Sequence, residues 1–304
     1  MNILSLFDGI SCLQLALNRA NIAYDNYYAS EIKKSAIKVT QSNFPNTIQL
    51  GDIKNIHYKN DVLYTENGNY EVGTIDIMGG GSPCQDFSII NINKHEYGLK
   101  GERSRLFFEY LRLLHEVKPK YFLLENVKMK ASAKEELDNY LGTTGIYINS
   151  SLVSYQNRPR YYWTNIPNVV VPEDRHISFQ DYKETNPLVC VKYKLKKTPY
   201  RLKMWNNGCG RNSVSTGCAN VTFADKIYCI TARQDRCPNS GLIECEDFCR
   251  FLTRAELEQA QTIPVGYTDM LSYNQMQDVV GNAWTVDVIA HILSFYTKAS
   301  DKIK

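Results

Sequence analysis

The sequence predicts an α/β protein, a doubly wound sheet with a small β-rich domain, on three observations. Through residues 1–165, apolar runs short enough for buried strands alternate with amphipathic helical segments. Several of those runs close on turns that carry acids or glycines: Phe7-Asp8-Gly9, Ser30-Glu31, Gly51-Asp52 and Glu125-Asn126. From about Asn168 to Cys249 helical periodicity disappears, and Pro, Gly, Asn and Thr punctuate short β-prone pieces. The expected division is a large domain over 1–167, a small domain over 168–249, and a return to the large domain over 250–304.

Each element has its own warrant. Asn2–Leu6 is a short apolar strand, and Cys12–Arg19 is a helix with Leu13, Ala16 and Leu17 on one face. Tyr27-Tyr28-Ala29 forms the next strand, and a helix runs from about Lys33 to Asn43. Ile48-Gln49-Leu50 leads into Gly51-Asp52. Thr74–Met78 reads as a buried strand, with Gly79-Gly80-Gly81 as a tight turn behind it. A helix over Arg105–Val117 ends before Pro119, and Tyr121–Leu124 is another buried strand. In the β-prone region Val221-Thr222-Phe223 and Ile227–Thr231 are strand candidates. Thr253 and Glu256 make a capping-box pattern at the head of the helix Thr253–Ala260, and Val286–Tyr296 is the last helix.

Composition narrows the function classes. Of 304 residues, 43% are hydrophobic and 22% charged, ordinary for a globular protein. No run approaches the ~18 consecutive apolar residues of a membrane span. The segment Met1–Asp8 lacks a basic n-region, so no signal peptide is expected. Nine cysteines, an odd count without secretory context, are expected to be reduced thiols in a cytosol-like compartment. Net charge +3 does not by itself indicate nucleic acid, but its distribution does more. Lys192, Lys194, Lys196, Lys197, Arg201, Lys203 and Arg211 occupy 192–211 without an acid and with Tyr193, Tyr200 and Trp205 among them. That mixture suits phosphate and base contacts; a solvated basic loop is the alternative.

Two constellations could carry chemistry. Ser82-Pro83-Cys84-Gln85 presents a cysteine at the C-terminal end of a sheet strand, where α/β folds bind ligands. Pro83 fixes the backbone just before the sulfur. Glu125 ends a buried strand, where partial desolvation suits a carboxyl that holds a proton, and Arg158 and Arg160 supply guanidinium groups. A thiolate, an acid and a guanidinium together suit attack on an electron-poor ring. The second constellation is a nucleoside-sized set of strand ends: Phe7-Asp8-Gly9-Ile10, then Glu31 for ribose hydroxyls, then Asp52 for an adenine amino group.

Taken together and in order, these residues resemble the C5-cytosine DNA methyltransferase family, over most of 1–165 and 250–304. Phe7-Asp8-Gly9-Ile10 is similar to its first cofactor motif, Glu31-Ile32 to its ribose contact, and Asp52-Ile53 to its adenine contact. Ser82-Pro83-Cys84-Gln85 resembles the nucleophile loop, and Arg103–Phe108, with Leu106, the helix entry that closes on the cofactor. Glu125-Asn126-Val127, Gln156–Arg160, Leu252–Glu256 and Gly281-Asn282-Ala283-Trp284-Thr285-Val286 resemble the remaining motifs. Ser11-Cys12 and Thr262-Ile263-Pro264 depart from the usual pattern, and Pro264–Asp269 is similar to animal de novo enzymes.

The resemblance implies a class I methyltransferase (Rossmann-like) sheet with a target-recognition domain at 168–249, and S-adenosylmethionine as cofactor. Cys84 would add to C6 of a flipped cytosine, Glu125 would contact N3 and the exocyclic amine, Arg160 would hold O2, and Arg158 would orient Glu125. Gly81, Pro83, Leu106, Asn282, Ala283 and Trp284 would complete the cofactor site, with Gln85, Ser88 and Asn126 on the substrate. Residues 86–103, hinged at Gly98 and Gly101, would close over the base. The implied setting is a compact bacterial or phage enzyme: monomeric, cytoplasmic, acting on double-stranded DNA, with a cognate restriction endonuclease as a candidate partner. The cysteines at 209, 218, 229, 237, 245 and 249 contain no Cys-x₂-Cys pair, so no metal is expected. A transfer RNA substrate and a catalytically idle DNA-binding module stay open as alternatives.

Overall fold

The computed structural model describes residues 1–82, 105–199, 219–232 and 239–300, with side chains to residue 296. The chain forms two compact units. The first comprises Met1–Ile148, Pro159–Val171 and Val288–Lys304; the second comprises Asn149–Arg158 and Pro172–Asp287. The expected boundary at 168 lies near the observed one at 171/172. Residues 149–158 and 250–287, expected in the large domain, pack within the second unit instead. The cause is visible in that unit's hydrogen bonds, which tie these segments to each other (below).

In chain order, the first unit carries β1 (Asn2–Leu6), α1 (Cys12–Arg19), β2 (Asn26–Ser30), α2 (Lys34–Asn43) and β3 (Ile48–Gln49). Then come β4 (His57–Lys59), β5 (Val62–Thr65), β6 (Gly68–Glu71) and β7 (Ile77–Gly80). They are followed by α3 (Arg105–Val117), β8 (Tyr121–Val127), α4 (Ala131–Leu141) and β9 (Ile146–Asn149). The short β10 (Gln156–Asn157) belongs to the second unit, and β11 (Pro159–Thr164) returns to the first.

The main sheet has the order β3-β2-β1-β7-β8-β11-β9. β1 pairs in parallel with both β2 and β7, β7 in parallel with β8, and β11 runs antiparallel to β8. Strand order therefore reverses between β1 and β7, and the crevice outside the carboxyl ends of those strands is where an open α/β sheet binds ligands. One face of the sheet is buried on α3 and α4 through Leu4, Leu6, Met78, Leu124, Phe107, Tyr110, Leu113 and Leu137, all almost fully inaccessible.

Two local differences from the sequence reading have physical reasons. The strand expected at Thr74–Met78 is displaced to Ile77–Gly80, so Gly79 and Gly80 extend the strand rather than turn it. Neither has a positive φ. A Cβ on Gly80 would stand 2.8 Å from the Tyr110 ring, so this glycine is needed for close packing of α3. The three-stranded meander β4-β5-β6 was not anticipated. Its signals were present: Asn60 and Asp61 sit at φ 51° and 62°, as a two-residue hairpin turn of the primed kind requires, and Asn67-Gly68 marks the second turn.

The second unit holds short strands, Ile227–Tyr228, Ile243–Glu244 and Cys249–Arg250 among them, and the helices Arg254–Ala260 and Tyr273–Asn282. Thr253 and Glu256 form the anticipated capping box. Glu256 also pairs with Arg250 at 2.8 Å, both side chains almost fully buried. Among the described residues one segment, Tyr273–Tyr296, two helices broken at the extended Ala283, contains an 18-residue window with the mean hydropathy (1.2) of a membrane-crossing helix, and 61% of that window is buried inside the protein.

Candidate active site

Three strand ends in the first unit build a bonded rim. After β1 the backbone alternates through left-handed residues Phe7 (φ 55°), Gly9 (φ 61°) and Ser11 (φ 57°). The Gly9 N–H donates to Glu31 Oε2 at 2.8 Å, and Asp8 N–H to the Ser30 carbonyl at 3.0 Å, so the β1 and β2 ends are stitched together. Glu31 Oε1 also accepts from the Ile32 and Lys33 N–H groups, both at 2.8 Å. A Cβ on Gly9 would meet nothing within 4 Å, so the main chain here is open to a ligand's approach. Ile32 is exposed and offers an apolar surface beside the Glu31 carboxylate, whereas Ile53 is buried.

Asp8 is directed elsewhere than expected. Its carboxylate points into the protein, accepting from Tyr27 Oη at 2.7 Å and from the Ser11 hydroxyl. Burial holds the Asp8 carboxyl above the ordinary range, against the hydrogen bonds from Ser11, Ser5 and Tyr27. Burial, and then the neighbouring Asp8, push the Tyr27 hydroxyl well above its ordinary value. Gln14 links Ser11 to Thr47 (2.8 Å) and accepts from Tyr24. Asp8 thus shapes the loop from beneath, its side chain and its N–H both engaged within the protein.

At the third strand end Asp52 Oδ1 accepts from the Lys54 N–H (3.1 Å) in a short helical turn over Ile53–Asn55. Beside it a cleft of about 330 Å³ is lined by Lys54, Arg105, Leu106 and Glu109, which places the anticipated Leu106 on the same side as the Asp52 turn.

The acid and one arginine meet where β8 and β11 pair. Tyr162 stands opposite Glu125 and Arg160 opposite Val127, and Arg160 Nε lies 2.8 Å from Glu125 Oε1. Both side chains are about nine-tenths buried, at 12% and 11% exposure. Asn126, expected on substrate, is 1% exposed and turned to the other face, donating to Ser82 Oγ at 3.1 Å while its Oδ1 takes the Val127 N–H. It anchors the root of the Pro83-Cys84 step. Pro83, Cys84, Gln85, Ser88 and the 86–103 segment lie outside the described residues, as do Arg201, Lys203 and Arg211.

Arg158 corrects the sequence reading. Its guanidinium is engaged within the second unit, and Arg160 is the arginine that pairs with Glu125. The Arg158 guanidinium, 3% exposed in the second unit, donates to the carbonyls of Ile230 (3.0 Å), Gly281 (3.3 Å) and Ala283 (2.9 Å). Gln156 of the same motif accepts from the Ile230 N–H (2.9 Å) and donates to the Ala260 carbonyl and Gln261 Oε1, both 3.0 Å. Gln261 in turn donates to the Val280 and Ala283 carbonyls. Thr285 bonds both Gln261 and Ser150. These bonds join 149–158 to 250–287.

Gly281 is required by the same packing, since a Cβ there would lie 2.3 Å from the Thr231 carbonyl carbon. Asn282 is exposed, with its amide on the Asp278 carbonyl; Ala283 is buried and Trp284 half-buried, all in the second unit. Of the anticipated basic residues, Lys194 and Lys196 are exposed, Lys194 over the Phe248 ring at 5.2 Å. Lys197 is engaged by the Glu246 carbonyl at 2.7 Å and Glu244 at 3.5 Å. Among the described residues no group of three or more His, Cys, Asp or Glu side chains is placed to hold a metal.

Comparison with known proteins adds to this geometry. A family model described as C-5 cytosine-specific DNA methylase matches residues 1–296. The orphan methyltransferase M.SPRI of Bacillus phage SPR is 34% identical over 130 residues, 42% of this chain and 26% of that protein. The Type II methyltransferase M.NgoFVII of Neisseria gonorrhoeae is 32% identical over 158 residues, 50% of this chain and 38% of that protein. The matches thus span about a quarter to two-fifths of these relatives. Among solved structures, S. pombe Dnmt2 methyltransferase aligns with TM-score 0.70 at 17% identity, covering 98% of this chain and 99% of that one. The Entamoeba histolytica methyltransferase EhMeth aligns at TM-score 0.72 and 18% identity, covering 100% and 99%. At such identities the likeness speaks for the fold.

Proposed function

The chain belongs to the C-5 cytosine-specific DNA methylase family, and from that premise we propose that it methylates C5 of cytosine in double-stranded DNA, with S-adenosylmethionine as donor. The single observation that carries the reading is the Glu125–Arg160 pair, 2.8 Å apart and screened from solvent, on the strand whose next residue anchors Ser82 at the root of the Cys84 loop.

The roles follow from the chemistry each group can perform. The Cys84 thiolate forms a bond to C6, and the ring's 5,6 electron pair moves to C5. Glu125, carrying a proton, contacts N3 and the exocyclic amine and donates that proton to N3 as negative charge develops on the ring, while Arg160 holds the Glu125 carboxyl group in place and reaches O2. When bound, S-adenosylmethionine supplies the methyl group that C5 takes. A base, water in the simplest case, then takes the C5 proton; the C5–H electron pair re-forms the 5,6 double bond, the C6–S bond breaks to release Cys84 as thiolate, and N3 returns its proton to Glu125. The target base leaves the stack at a cost of a few kcal/mol, which pocket contacts offset.

The cofactor fits the rim: Glu31 is presented to ribose hydroxyls, Ile32 to the adenine face, Asp52 to its amino group, and the Phe7, Gly9 and Ile10 backbone to the remainder. The second unit, with Lys194 and Lys196, reads the flanking bases. The enzyme acts as a monomer in a bacterial or phage-infected cytoplasm, with a cognate restriction endonuclease as candidate partner.

Bisulfite sequencing of a random duplex library, after incubation with protein and S-adenosylmethionine, tests this. Protected cytosines in a shared short context, lost in Cys84→Ala while cofactor binding survives, are expected. Complete conversion by a folded, cofactor-binding protein would overturn DNA as substrate and shift the acceptor assay to transfer RNA.

A further inference from the structure

The meander β4-β5-β6 has no counterpart among the motifs, yet its tip touches the turn assigned to adenine. β3 is only two residues long, and Gly51 (φ 86°) turns the chain away from the sheet edge. Among the described residues, no neighbouring strand supports that edge beyond β2. The tip of the β5–β6 hairpin supports it instead. Glu66 Oε1 accepts the Asp52 N–H at 3.0 Å, and its Oε2 accepts from Asn55 Nδ2 at 2.9 Å. The adjacent Asn67 donates to the Gln49 carbonyl at 3.0 Å. A Cβ on Gly51 would stand 2.1 Å from Glu66 Oε1, so the carboxylate lies flat against this backbone.

The hairpin is itself anchored. Leu63 is fully buried, Tyr70 packs on Tyr28 of β2 with ring centroids 6.2 Å apart, and the Tyr58 N–H donates to Glu116 of α3. The far side of the same turn is held by Arg112, which donates to the Ile53 and Ile56 carbonyls at 3.2 and 2.9 Å. The geometry points to Glu66 as a positioning residue for the nucleoside end of the cofactor. Its carboxylate fixes the Asp52 N–H and with it the direction of the Asp52 side chain, without touching the ligand. The gain is pre-organisation: the turn is held in its binding shape before the ligand arrives.

This rests on the cofactor site proposed above, so the experiment separates the two. Dissociation constants for S-adenosylhomocysteine are measured by calorimetry on the full chain and on Asp52→Ala, Glu66→Ala and Glu66→Gln, with thermal unfolding alongside. Expected for Glu66→Ala is a Kd raised about three- to tenfold, the worth of one charge-assisted hydrogen bond at a part-exposed site. Its cofactor KM rises by more than kcat falls. Glu66→Gln, which keeps an acceptor for the Asp52 N–H, recovers most of the loss, a rescue that a general loosening of the hairpin would not show. A raised Kd in Asp52→Ala with Glu66→Ala at the parent value overturns the role of Glu66 alone. Parent values in both overturn the adenine assignment and this inference together.

Discussion

The two units use their polar side chains in opposite ways. In the first, Glu31, Asp52 and Glu125 stand at or near carboxyl ends of strands, and each engages neighbouring polar groups while staying at the crevice. In the second, Gln156, Arg158 and Gln261 are buried and aimed at main-chain carbonyls, so their hydrogen bonds hold segments together. The contrast passes through one motif: Arg158 and Arg160, two residues apart, belong to different units. An arginine within a functional motif is therefore a site residue or a scaffold residue according to what its strand faces.

The sharpest test of that contrast is to truncate each arginine. Arg160→Ala is expected to lower kcat about 10²- to 10³-fold, as for removal of one preorganised electrostatic partner. Its stability loss is expected to be smaller than that of Arg158→Ala, because Arg158 donates to the buried carbonyls of three distant residues. Arg158→Ala is expected to destabilise the protein by about 2–5 kcal/mol, because buried carbonyls lose their donor. Calorimetric unfolding together with single-turnover kinetics on both variants decides it; equal stability losses would erase the distinction.

A smaller effect is expected at Gly281. Gly281→Ala forces a methyl against the Thr231–Ala232 backbone, at about 1–3 kcal/mol. Denaturant titration checks it, and an unchanged midpoint would show that the second unit is less tightly packed than its hydrogen bonds imply.

The smallest concerns Asp8. Its folded-state pKa is raised from 3.8, so the folded protein holds this proton to higher pH than the unfolded chain does. The Asp8 contribution to stability is then full below about pH 3.8 and is lost as pH rises through the folded value. Asp8→Asn, which keeps most of the hydrogen bonds, should lie within about 1 kcal/mol of the parent near neutrality. The stability of parent minus variant should fall as pH rises from 4 to 7. A difference that grows with pH would show the carboxylate to be a net stabilising ion there.

Much of the first unit was legible because periodicity is local. Cys12–Arg19 was readable to the residue from apolar spacing, and the end of the helix at Val117 from Pro119. The meander β4-β5-β6 was missed although Asn60-Asp61 and Asn67-Gly68 were visible, since a hairpin without strict apolar alternation looks like a loop. Gly79-Gly80 was read as a turn because a glycine's need for space depends on Tyr110, thirty residues away. Glu66 carries no local signal at all.

What the sequence alone determined is that Gly9, Glu31 and Asp52 follow strands, because the residue after an apolar run is a local property; Glu125, expected to end its strand, lies within β8, which continues to Val127. The tertiary structure decided which polar side chains face the crevice and which hold the frame. Asp8 turns inward to Tyr27, Asn126 to Ser82 and Arg158 to Ile230, Gly281 and Ala283. Those choices follow from partners distant in sequence, since a buried polar group must find an acceptor or donor wherever the fold brings one.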